Sequence, residues 1–439
     1  MYSIPFITIA LFATQMNRRE ILSSILTSSI IMKEDNEFIT TRSDTATKED
    51  GPWSITLPLE PNSGGTNSIR ATLCYKPVTT RFGSRTYIPK KIYKIIIDTG
   101  SPYLVVADGM EYTSFFEELN TSESEQGAVS ALFETIGILL EGEFPYIFGE
   151  SNYGPTEEIY GSQKGNIEWK ESFIQFRDER LSRNTVLGVL DDKLVNEAGG
   201  PLLGLVKRSN FESQKVQLRP TFFDQQRGGD EIRSFQIDCP NRLFTLTSGK
   251  SLISEDAKSD TVIPLVDLRP LGDFVEHYAC TVMELQLDGN IFTPSKLVGS
   301  SDGLVRPIVA VFDSGLTGCL FTQPLWDILQ QNGVKLQTVQ SINVGVSTEE
   351  SIISINNTRT RSKVRVGNQK SKSLYHFQTD PSMNPFYNLS PISLDWFDDE
   401  DTCPHVVVLG QTFLTQGCLT IDIDDRRATF VKSYDIEYK

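Results

Sequence analysis

"IIIDTGSPYLVV", residues 95–106, breaks two apolar runs with an Asp-Thr-Gly-Ser turn. The isoleucines before the turn and the leucine and valines after it predict buried β-strands. Gly100 makes the centre a tight turn, because glycine takes up backbone angles that other residues resist. Asp98 therefore ends a buried strand, where a carboxylate is costly unless a partner satisfies it or a reaction uses it.

The second half of the chain repeats the design. "IVAVFDSGLTGCLF" (308–321) again runs apolar strand, Asp, small hydroxyl residue, Gly, apolar strand. At average composition an Asp-[Ser/Thr]-Gly triplet arises about once per 2,000 positions. Two copies in matching contexts, one per half, predict two similar lobes that each offer a carboxylate, Asp98 and Asp313. Two carboxylates held close cannot both ionise, so they share one proton and titrate in separate steps. One then takes a proton from water while the other gives a proton to a carbonyl oxygen.

Working outward, short apolar runs are separated by Gly, Pro, Asn and Asp, as in "WSITLPL", "ESFIQF", "RLFTLTSG", "HYACTVMELQLDGNIF" and "HVVVLG". This pattern predicts an all-β protein. "LDGN" (287–290) reads as a hairpin turn, and "QPLWDILQQNG" (323–333) as the best helix, stopped by its glycine. The polar stretches 112–126, 251–260 and 346–373 read as surface loops.

The bulk composition excludes several functions. The 439 residues, 39% hydrophobic, suffice for two domains with real cores. The formal charge is −16, with no basic stripe, so nucleic acid is excluded as a partner. The six cysteines form no Cys-x-x-Cys, and the three histidines (His277, His376, His405) form no His-Glu-x-x-His, so no metal and no cofactor are expected. An even cysteine count is compatible with disulfides in an oxidising compartment.

With both turns in view, the chain resembles the pepsin-like aspartic peptidases from about residue 66 to its end. Asp98-Thr99-Gly100-Ser101 and Asp313-Ser314-Gly315 match that family's two catalytic turns. "PLLGL" (201–205) and "VVVLG" (406–410) match the strands that thread beneath the turns, with Gly204 and Gly410 as their glycines. "YGSQKGNIEWKESFIQF" (160–176) resembles the flap hairpin, and "LGQTFLTQGCLTIDIDDRRATFV" (409–431) the closing C-terminal run. The resemblance implies a bilobal fold with a cleft between two β-rich lobes, acting as a monomeric endopeptidase on an extended polypeptide. It implies Asp98 and Asp313 as the catalytic pair. Thr99 and Ser314 would bond across to the opposite turn, and Gly100 and Gly315 would let backbone amides approach the carboxylates. Ser101 would hydrogen-bond Asp98. Tyr160, Gly161 and Ser162 would meet substrate from the flap, with Tyr153 as a weaker claimant to the tyrosine's place.

Three features depart from that pattern. Val105 stands where many relatives carry a tryptophan that supports the flap tyrosine. Leu316 stands where a hydroxyl usually serves the second aspartate, leaving Thr317 as the nearest substitute, and an apolar neighbour there would keep the dyad's proton to higher pH. Residues 33–60 are acidic, so no basic inhibitory prosegment is expected, and a chain starting near Asp50 should be active without processing. Two readings rival the peptidase: a catalytically impaired pepsin-like protein that binds peptide or protein, and a two-carboxylate glycosidase.

The expected domains are a targeting leader at 1–45, a lobe at 46–259 carrying the first Asp and the flap, and a lobe at 260–439 carrying the second Asp. "IPFITIALFA" (4–13) has the length of a signal peptide, and neither it nor the weaker run at 21–32 is long enough to span a bilayer. Sequons at Asn120, Asn356 and Asn388 point to the secretory route, ending in a vacuole- or lysosome-like compartment or outside the cell. Arg18-Arg19 before the second run keeps open an organelle lumen reached by a plastid-type leader.

Overall fold

The computed structural model describes residues 53–74, 78–79, 86–87, 90–107, 148–160, 163–176, 179–190, 200–208, 219–225, 231–257, 261–269, 273, 275–297, 306–349, 373–386, 389–392 and 404–433. The expected leader and the polar stretch 112–126 lie outside these residues, and Gly51–Lys439 forms one unit. The protein is mostly β, with three main sheets and few helices.

The same three-strand figure occurs in two of the sheets. In the nine-stranded sheet, Leu202–Gly204 lies between Lys90–Asp98, to which it is parallel, and Leu104–Ala107, to which it is antiparallel. In the eight-stranded sheet, His405–Leu409 lies likewise between Ile308–Phe312 (parallel) and Cys319–Thr322 (antiparallel). Each Asp-[Ser/Thr]-Gly turn thus joins two strands that are not neighbours, with a later strand filling the gap.

The uniformly apolar sequence of these strands follows from burial on both faces. Ile308, Ala310, Phe312, Val407 and Leu409 enter the main core. The alternate residues Val309, Val311, Val406 and Val408 enter a second cluster on the opposite face, with Leu268 and Ala279. The first figure divides in the same way: Ile95, Ile97, Leu104 and Leu203 face the main core, while Ile96, Val105 and Leu202 pack on the other side. Period-2 alternation is present, but both faces are covered.

Threading a strand under a turn requires close backbone approach. A Cβ at Gly204 would lie 2.4 Å from the Tyr103 nitrogen and 2.5 Å from the Ser101 carbonyl oxygen. At Gly410 it would lie 2.3 Å from the Gly318 oxygen and 2.5 Å from the Leu316 oxygen. Only glycine fits at either site.

The six-stranded sheet joins the two halves of the sequence. Its order is Ser54–Pro58, Leu243–Ser248, Ile232–Asp238, Gly417–Asp422, Arg427–Lys432, Val262–Pro264. The helix forms over Gln323–Gln331, burying Leu325, Trp326 and Leu329, and Gly333 follows it at φ +84°. Asp288 and Gly289, both at positive φ, make the hairpin turn between Leu287 and Asn290. The expected loop at 346–373 begins later than the sequence suggested: Val346 and Ser347 end the strand Ile342–Ser347, pairing with Tyr375 and Leu374.

Replacing Gly410 with alanine should destabilise the fold by about 3 kcal/mol, the upper end for overpacking against backbone that cannot move aside. Gly154→Ala, where a Cβ meets nothing within 4 Å, should stay within about 0.5 kcal/mol of wild type. Urea unfolding midpoints measure both; equal midpoints would show that the Gly410 strand does not thread tightly.

Candidate active site

The two turns meet, and each carboxyl rests on the other turn's glycine. A Cβ at Gly100 would fall 2.6 Å from Asp313 Cγ, and one at Gly315 would fall 2.5 Å from Asp98 Cγ. The Gly100 amide donates to Asp98 Oδ1 at 2.8 Å. The Gly315 and Leu316 amides donate to Asp313 Oδ1 at 2.9 and 3.1 Å. The two carboxyls are near enough for their charges to act on each other.

Thr99 and Ser314 hold this geometry from below. The Ser314 amide donates to Thr99 Oγ1 at 2.9 Å, and the Thr99 amide donates to Ser314 Oγ at 3.1 Å. Thr99 Oγ1 donates onward to the Phe312 carbonyl, and Ser314 Oγ to the Ile97 carbonyl, each at 2.8 Å. Both side chains are fully buried, and each hydroxyl both accepts and donates across the junction. Gln411, which the sequence reading did not single out, extends the network: its amide donates to the Ser314 carbonyl at 2.7 Å and accepts from Asn67 at 3.3 Å. A glutamine directly after the apolar run "VVVLG" was the available signal.

Burial is the main electrostatic fact of the site. It pushes the Asp98 carboxyl above the ordinary carboxylate range, against hydrogen bonds from Gly100, Asp313 and Gly315 and the nearby charge of His277. It pushes Asp313 well above that range, with the Asp98 charge and hydrogen bond adding to the shift. The pair keeps one proton to higher pH than a lone aspartate does.

The supporting residues fall into place unevenly. Ser101 contributes none of the hydrogen bonds to Asp98 among the described residues. The Thr317 hydroxyl does not replace the one missing at Leu316; it donates to the Gly64 carbonyl. The Leu316 side chain packs against the Val309–Val408 cluster, and its backbone amide serves Asp313.

Tyr160 ends the strand Thr156–Tyr160 and pairs with Gln163, the first residue of the strand Gln163–Phe176. Gly161 and Ser162 lie outside the described residues, and Tyr160 is placed by its backbone alone. Tyr153 is exposed, under the Arg219 guanidinium at 5.4 Å. Beside Val105, the expected place of a tryptophan, lies Trp169 from the hairpin strand. Its ring meets Tyr103 edge-on at 5.0 Å, and its indole donates to Thr156 Oγ1 at 2.8 Å. The sequence reading missed Trp169 because the tryptophan arrives from a different strand.

Thr99→Val should cost about 2–5 kcal/mol, because it leaves a buried amide and a buried carbonyl unpaired. Thr99→Ser, which keeps the hydroxyl, should recover most of that loss. Denaturant unfolding of the two variants is the check, and equal losses would assign the effect to the methyl group and not to the hydrogen bonds.

No protein-family model matches the chain, and the comparison with curated proteins finds no match.

Proposed function

We propose that the chain is an aspartic endopeptidase, with its two turns contributed by two lobes in the pepsin-like arrangement. The observation that carries this reading is the meeting of two matching Gly-containing turns, each with its carboxyl set against the other turn's glycine. The cross-bonded Thr99 and Ser314 support it, since they hold two like charges at a spacing that neither would choose alone.

The pair shares one proton, so one carboxyl, Asp98 in this reading, is the base and the other, Asp313, the acid. A water between them gives a proton to Asp98 and attacks the peptide carbonyl carbon as Asp313 protonates the carbonyl oxygen. The C–N bond of the tetrahedral intermediate then breaks. The amine leaves with the proton from Asp98, and Asp313 regains its own from the intermediate's hydroxyl. No acyl-enzyme forms. A glycosidase fits poorly, because its two carboxyls stand about 5–9.5 Å apart to flank a sugar. The substrate is an extended polypeptide lying under the paired strands Thr156–Tyr160 and Gln163–Phe176.

The test is hydrolysis of an unstructured polypeptide with and without a statine-type inhibitor. Asp98→Asn and Asp313→Asn should each lower kcat about 10³-fold or more while the fold persists. A protein that binds peptide and never cuts would show no difference between wild type and either variant.

The pH profile of kcat/KM should be a bell displaced upward. Its acid limb follows protonation of Asp98, and its alkaline limb follows loss of the remaining proton. Both carboxyls are raised, so the alkaline limb should lie well above the ordinary carboxylate range. Stability should follow the same shifts. A carboxyl raised in the folded state contributes stability that is fully present below its unfolded pKa and is lost as pH rises through the folded value. Asp98→Asn/Asp313→Asn should flatten that decline. An alkaline limb near pH 4 would contradict this reading.

A further inference from the structure

The paired strands Thr156–Tyr160 and Gln163–Phe176 are rooted in a cluster that the mechanism above does not use. Their mutual pairing runs from Thr156 with Ile167 to Tyr160 with Gln163. From Ile167 onward the second strand pairs instead with Glu179–Leu190. The strand pair therefore leaves the sheet at Thr156 and Ile167. The chain reaches Thr156 through Ser151–Pro155, and two bonds tie this approach to one residue, Trp169. Ser151 Oγ donates to the Trp169 carbonyl at 2.6 Å, and the Trp169 indole donates to Thr156 Oγ1 at 2.8 Å. Two bonds to one residue make a hinge, and fixing the angle takes another point of contact away from it.

Arg219 supplies that point. Its guanidinium donates through Nη2 to the Gly154 carbonyl at 2.7 Å, and it stands over the Tyr153 ring at 5.4 Å and the Trp169 ring at 5.9 Å. Arg219 is 6% exposed, so the charge-assisted bond and the cation–π contacts are stronger than they would be in water. Its mount is firm. The Arg219 amide donates to the Tyr103 hydroxyl at 3.3 Å, and the Phe222 amide to the Pro102 carbonyl at 3.4 Å. Gln225, at the far end of the same segment, bonds both backbone groups of Val186, at 2.6 and 2.9 Å. Pro102 and Tyr103 directly follow the Asp98–Ser101 turn, so Arg219 joins the root of the strand pair to the segment that leaves the first carboxyl.

We propose that Arg219 is a positioning residue that clamps Tyr153 and Gly154 and so fixes the angle of the strand pair, presenting it to an extended polypeptide already set for binding. The clamp stands on the contacts alone; its effect on substrate deepens the peptidase reading and rests on it. Presetting the strand pair removes an ordering cost from binding, which appears in KM and not in the bond-breaking step. The choice of arginine follows from its planar fork, which bonds a carbonyl while its faces lie against rings; a lysine keeps the charge and loses the plane.

Hydrogen exchange of the full chain, read by mass spectrometry, tests the clamp, and kcat and KM on an unstructured polypeptide test its consequence. Arg219→Leu removes the charge and the bond to Gly154. It should speed exchange in Thr156–Tyr160 and Gln163–Trp169 about tenfold or more, while Ile232–Asp238 in the six-stranded sheet keeps its wild-type rate. It should raise KM about tenfold with kcat within about threefold of wild type, the reverse of the dyad variants. Arg219→Lys, which keeps a cation able to bond Gly154, should recover part of both effects. Tyr153→Ala is the second variant, in case Arg219→Leu fails to fold. Tyr153 is 40% exposed, and losing its ring frees one side of the guanidinium, so exchange in the strand pair should rise there too. Unchanged exchange in Arg219→Leu, or in Tyr153→Ala where Arg219→Leu does not fold, overturns the proposal. So does faster exchange with an unchanged KM in a chain that cuts peptide. A wild-type chain that cuts no peptide would end the peptidase reading, and the exchange rates would still decide whether Arg219 clamps the strand pair.

Discussion

The hydrogen-bonded exchange between Thr99 and Ser314 is the constraint on which the rest of the site depends. Two carboxylates that repel each other are set side by side, and something stiffer than either side chain must keep them there. Four bonds of 2.8–3.1 Å do so, tying each turn's amide to the other turn's hydroxyl and each hydroxyl to the strand leading into the opposite turn. Because the brace is fully buried, losing any one bond exposes an unpaired polar group to an apolar surround, so the junction is held as a unit.

The sheets exist, in this view, to deliver the turns to that junction. Each turn joins strands separated by an inserted third strand, and the insertion pins the turn's backbone from beneath. The Leu205 amide bonds the Asp98 carbonyl at 2.8 Å, and the Asp313 amide bonds the Leu409 carbonyl at 3.0 Å. Rigid, doubly buried strands place the carboxyls more firmly than loops would. The same burial that makes the strands apolar also raises the carboxyl pKa values, so the scaffold and the proposed acid–base chemistry share one cause.

Much of this was legible in the sequence. The two Asp-containing turns were marked by residue type and by repetition, while the glycines beneath them and the cross-bonding hydroxyls were expected from the resemblance to the pepsin-like family. The LDGN turn and the helix at 323–331 follow from local chemistry, and both formed where such chemistry puts them. Contacts between residues distant in sequence were not legible. Trp169 stands beside Val105 through strand pairing, and Thr317 turns to Gly64, 253 positions away. Ser101 illustrates the converse: its type fits a hydrogen bond to Asp98, while the backbone amides already fill that role.

The account turns on one proton held between two carboxyls, and carboxyl-carbon NMR of Asp98 and Asp313 across pH tests it most directly. The predicted result is two coupled steps seen at both residues, the second well above the ordinary carboxylate range, collapsing to a single step in Asp313→Asn. Two independent titrations near the ordinary aspartate value, unchanged in Asp98 when Asp313 is replaced, would contradict it.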